Sequence, residues 1–99
     1  MELGVTKELI DDLKAMLIKN EGIELKPYFC TSNKITIGVG RNLSDNGITK
    51  QEADTLLTND MDNVFADLDR NIPFWKSMPY NVRLALACLL YTSDAADEE

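Results

Sequence analysis

The chain has 99 residues, 44% apolar and 27% charged, with a net charge of −7 and no histidine. That is the size of one small globular domain, and the missing histidine excludes Ser-His and Cys-His dyads, imidazole zinc sites and histidine pH switches. Ten Lys and Arg residues without a cluster leave nothing to neutralise a phosphate backbone, so no nucleic-acid partner is expected. Acid–base chemistry must come from carboxylates, Lys, Tyr, Cys or water. Cys30 and Cys88 are too few for a four-thiolate metal site and do not read as a secreted disulfide framework. The longest apolar run, Leu84 to Tyr91, has eight residues, against ~20 for a bilayer span, so no stable membrane insertion is expected. Met1-Glu2-Leu3-Gly4 lacks the basic and apolar regions of a signal peptide, and cytosolic synthesis is the expectation.

The first periodic segment runs from about Thr6 to Asn20, with Leu9, Ile10, Leu13, Met16 and Leu17 on one helix face, Thr6 as N-cap and Gly22 as the stop. The period then changes. Leu25 to Thr31 and Ile35 to Val39 are rich in aromatic and β-branched residues and are joined by Ser32-Asn33-Lys34, which predicts a hairpin. Gly38 and Gly40 flank Val39, where the chain must bend or approach another backbone closely. A turn-rich link, Arg41 to Gly47, precedes the capping box Thr49-Lys50-Gln51-Glu52. Ala53, Leu56, Leu57, Met61, Val64, Phe65 and Leu68 then mark a long helix that ends at Arg70-Asn71-Ile72-Pro73. After the short connection Phe74 to Met78, Pro79 opens a last helix carrying Val82, Ala85, Leu86, Leu89 and Leu90. Helix, hairpin, helix, helix is an α+β order.

Glu21 ends the first helix directly before Gly22. A carboxylate so placed faces the negative end of the helix dipole, which favours the protonated form a general acid needs, and partial burial would add to this. Taken singly, Glu21 reads as a solvated carboxylate, Cys30 as a small buried hydrophobe and Thr36 as an ordinary strand residue. A cysteine-nucleophile hydrolase built on Cys30 lacks a histidine base and is rejected.

Together these residues are more specific. Glu21, eight residues, Cys30, five residues, then Thr36-Ile37-Gly38-Val39-Gly40 resembles the catalytic stretch of phage-type lysozymes, the endolysins of glycoside hydrolase family 24. The flanks agree: Asn20-Glu21-Gly22, Leu25-Lys26-Pro27-Tyr28, Ile48 to Ala53, and Val82-Arg83-Leu84-Ala85-Leu86. The resemblance covers roughly residues 10 to 87. It implies a lysozyme-like α+β fold with an N-terminal helix, a small β-hairpin lobe and the first part of a helical lobe.

The activity it implies is that of a muramidase, cleaving the β-1,4 bond between N-acetylmuramic acid and N-acetylglucosamine in peptidoglycan and lysing the host cell. Carried over, Glu21 is the general acid, Cys30 stands where the family usually has Asp to orient or activate water, and Thr36 hydrogen-bonds that water. Gly38, Gly40, Arg41 and Asn42 fall on the glycan-binding side; Arg41 stands where many members carry His. The resemblance further implies an inverting course, no metal or cofactor, a monomeric full-length enzyme, and accumulation in the host cytoplasm until a holin lesion opens the way to the periplasmic wall. A thiol is a weaker base than a carboxylate at neutral pH; that the family tolerates Cys at this place implies that positioning the water counts for more than deprotonating it. A noncatalytic peptidoglycan-binding or helical interaction module is the alternative reading.

Cys88-Leu89-Leu90-Tyr91-Thr92-Ser93-Asp94-Ala95-Ala96-Asp97-Glu98 looks like a translated sequencing-library adapter. On that reading residues 1–87 are a partial lysozyme-like domain and residues 88–99 a non-native tail. Residues 1–87 then carry ten basic and thirteen acidic side chains, a net charge of −3. The expectation is a chain short of its remaining helices, with Leu56, Leu68 and Leu86 left on an open apolar face, and inactive or weakly active.

Overall fold

The computed structural model describes residues 4–97, with side chains to residue 93. Met1 to Leu3, which bear on the signal-peptide reading, and the last two residues of the suspected tail lie outside the described residues. The chain divides into two compact units, Met1–Ile48 and Thr49–Glu99.

The first unit opens with α1 (Lys7–Glu21). The Thr6 hydroxyl accepts the Leu9 N–H at 3.1 Å, and the Gly22 N–H closes the helix on the Ile18 carbonyl at 2.7 Å. Both ends therefore fall where the capping residues place them. No residue of α1 is buried: Leu9, Leu13, Met16 and Leu17 are exposed, so the apolar period marks the helix without being covered.

An antiparallel sheet follows, ordered β1 (Glu24–Phe29), β2 (Ile35–Gly38) and β3 (Arg41–Asn42). Glu24 pairs with Gly38, Tyr28 with Thr36 and Phe29 with Ile35, and the register shifts between Glu24 and Tyr28. Pro27 lies in that interval on an edge strand, where a residue with no N–H is tolerated. β3 pairs through Thr36 with Asn42 and Ile37 with Arg41. Where a turn-rich link is expected, the chain instead forms β3 and then α2 (Leu43–Asn46). The Asn42 carboxamide oxygen accepts the Asp45 N–H at 3.0 Å, and its amide donates to the Asp45 carboxylate at 3.0 Å. Ser44 accepts the Ile35 N–H at 2.9 Å, fastening α2 back to β2.

The second unit holds α3 (Lys50–Asn71), a short 3-10 turn at Trp75–Ser77, and α4 (Tyr80–Asp97). The capping box forms as expected: Thr49 Oγ1 accepts the Glu52 N–H at 3.0 Å and Glu52 Oε1 accepts the Thr49 N–H at 2.8 Å. Val64, Leu68 and Trp75 are the buried apolar residues of this unit, with Ile72, Leu86, Ala87 and Leu90 packed against them. Leu68 is thus covered, contrary to the expectation that it lies on an open face, because the chain after Pro73 turns Trp75 back onto α3. Leu86 is half-buried, whereas Leu56 remains 53% exposed. Trp75 stacks on Phe65 with ring centroids 5.7 Å apart and gives its indole N–H to Asp69 at 2.7 Å. α4 runs without a break through residue 88, and Leu90, inside the suspected tail, belongs to this cluster. Among the described residues no helix is long and apolar enough to cross a membrane.

Candidate active site

The sequence-predicted residues all lie in the first unit, on the end of α1 and on the three-stranded sheet with its connections. Glu21 is the last residue of α1 and is exposed, not partly buried. Its carboxyl reaches the turn between β2 and β3: the position a Cβ would take on Gly40 is 2.9 Å from Glu21 Oε2. The one carboxylate and the glycine therefore meet across the unit.

Cys30 follows β1 and starts the tight hairpin connection. Its N–H donates to the Lys34 carbonyl at 3.0 Å, and its carbonyl accepts the Asn33 N–H at 2.8 Å. Asn33 carries φ 61°, a left-handed conformation that asparagine tolerates better than most residues. This turn aims donors at the half-buried Cys30 sulfur. The Lys34 backbone N–H, then the Ser32 N–H, then the Thr36 hydroxyl hold the thiol below its ordinary 9.0, while desolvation opposes them. A cysteine in this turn acts as a short acidic side chain does, accepting the backbone hydrogens that follow it.

Thr36 sits in the central strand, 4% exposed, and its hydroxyl donates to the Lys34 carbonyl at 3.0 Å. One hydroxyl proton serves one acceptor at a time. The hydroxyl can therefore release the carbonyl, which keeps the Cys30 N–H, and turn its proton to the sulfur when the thiolate forms. Cys30 and Thr36 are thus brought together by the β1–β2 pairing.

The remaining residues line the β2–β3 turn. Gly38 and Gly40 both have φ +69°; nothing approaches within 4 Å of the Cβ position on Gly38. Arg41 Nη1 donates to the Gly47 carbonyl at 3.1 Å. Both ends of the Asn42 carboxamide are engaged in capping α2, a role the sequence reading missed although Asn42-x-x-Asp45 is a capping spacing.

A helix whose terminal carboxylate meets a small antiparallel sheet bearing Cys30 and Thr36 close together, followed by a long capped helix, defines a lysozyme-like α+β protein. The family model for phage lysozyme matches residues 18–93, and the chain belongs to that family. The match takes in α1 from Ile18, the whole sheet, α3 and most of α4. No curated protein matches the chain.

Proposed function

We propose that this chain hydrolyses the β-1,4 bond between N-acetylmuramic acid and N-acetylglucosamine of peptidoglycan glycan strands, at a low rate and with inversion. The observation that carries the reading is that the Glu21 carboxyl reaches the β2–β3 turn beside the hairpin that bears Cys30 and Thr36, within the stretch that the phage lysozyme family matches.

Glu21 donates its proton to the departing glycosidic oxygen as the C–O bond breaks and the sugar takes on oxocarbenium character. Water attacks the anomeric carbon from the opposite face, held by the Thr36 hydroxyl and the Cys30 sulfur. Its surplus proton passes to the thiolate when that form is present and otherwise to solvent. The donors around Cys30 enlarge the thiolate fraction at neutral pH. Gly38, Gly40, Arg41 and Asn42 form the glycan side of the site, Asn42 through its backbone and its hold on α2. The enzyme accumulates in the host cytoplasm and reaches the wall through a holin lesion, where cleavage of the glycan lyses the cell.

The test is mass spectrometry of purified peptidoglycan after incubation with the chain. New reducing ends on N-acetylmuramic acid, first formed as the α-anomer by proton NMR, are the expected result. Reducing ends only on N-acetylglucosamine, or no new ends at enzyme concentrations comparable to substrate, would overturn the proposal.

A further inference from the structure

We propose that Gly40 is a positioning residue for Glu21, its missing side chain being the seat of the Glu21 carboxyl. A Cβ on Gly40 would lie 2.9 Å from Glu21 Oε2, 3.4 Å from its Cδ and 3.6 Å from its Cγ. The first distance is well inside van der Waals contact, so a side chain and the carboxyl cannot share the space. The obstructing atoms are the end of a flexible side chain, so an added methyl displaces the carboxyl and not the strand turn.

Gly38 supplies a matched comparison within the same turn. It flanks Val39 on the other side and has the same φ of +69°, yet its Cβ position has nothing within 4 Å. Alanine at either position meets the same left-handed backbone strain. Only at Gly40 does it also meet Glu21. The two glycines, equivalent in sequence, thus separate into one that shapes the turn and one that places a carboxyl. The consequence for turnover rests on Glu21 being the general acid; the placement itself does not.

The test uses the full chain labelled with 13C at glutamate, with NMR of the Glu21 carboxyl and γ-methylene in the parent, Gly38→Ala and Gly40→Ala. Gly40→Ala is expected to move both resonances while the β1–β2 amide pattern stays, and to lower kcat on peptidoglycan by about tenfold or more with KM little changed, as misplacement of a reacting group does. Gly38→Ala is expected to leave the Glu21 resonances in place. Resonances that stay in place in Gly40→Ala, or move equally in both variants, overturn the positioning role. Displaced resonances with unchanged kcat would uphold the placement and refute the general-acid reading. Should Gly40→Ala fail to fold, adding Glu21→Ala must restore folding to the level of Gly38→Ala; failure to do so also overturns the proposal.

Discussion

Thr36 offers the sharpest separation of structure from chemistry. Thr36→Val keeps the β-branched shape in a central strand and removes one hydroxyl from a side chain that is 4% exposed. No acceptor is orphaned, because the Lys34 carbonyl still holds the Cys30 N–H at 3.0 Å. The loss is therefore one neutral hydrogen bond, about 0.5–1.5 kcal/mol, or a fall in melting temperature of several degrees at ~4–8 °C per kcal/mol for a domain of this size. Thr36→Ser is the counterpart: it keeps the hydroxyl and removes one methyl, about 0.8 kcal/mol. The two variants should be equally stable by amide hydrogen exchange along β1–β2. On peptidoglycan Thr36→Val should lose turnover by about 10²-fold, within the range for a general acid–base or water-positioning group, while Thr36→Ser retains most of it. Equal turnover in the two variants would refute the role given to the hydroxyl.

Three further outcomes follow from the packing and the site. Leu68→Ala should lower the stability of the Thr49–Glu99 unit by about 2–5 kcal/mol, read from Trp75, the chain's single tryptophan, whereas Leu89→Ala at 66% exposure should change it by under ~0.5 kcal/mol; equal effects would mean that the cluster is not the core. The Trp75 indole N–H, with Lys76 adding to it, holds the Asp69 carboxyl below its ordinary 3.8. Its ionised form is favoured in the folded state, so that stabilisation is present above about pH 4 and lost as pH falls through the lower folded value; the Trp75 unfolding midpoint should drop with acid there, and less so in Asp69→Asn. Cys30→Asp should keep or raise turnover, because the Ser32 and Lys34 N–H groups bind a carboxylate more strongly than sulfur; complete loss would show that the thiol has a role a carboxylate cannot fill.

Local chemistry was legible. Thr6, Gly22 and the Thr49–Glu52 box each act within a few residues of themselves, so the ends of α1 and the start of α3 fall where the capping residues lie. The second cap, Asn42 with Asp45, acts equally locally but was hidden among turn-forming residues, and a two-residue strand such as β3 is too short to show a period. Burial was the harder inference. Most of the apolar stripe of α1 is exposed, Ile10 alone of its five residues being half-buried, while Leu68 is covered, because coverage depends on which later segment returns, here Trp75 after Pro73 and then α4. In the site, the spacing of Cys30 and Thr36 was enough to bring them together across a hairpin. The meeting of Glu21 with Gly40 joins a helix end to a strand turn nineteen positions later; the two glycines marked a bend or a close approach, but not which of them meets which group.

The most direct measurement is release of reducing ends from purified peptidoglycan by the parent chain and by Glu21→Gln. Gln keeps the size of an exposed side chain while removing the acidic proton and the charge, so the chain should unfold no more easily than the parent. Release should be lost in Glu21→Gln; release at the parent rate would contradict the assignment of Glu21 as the general acid.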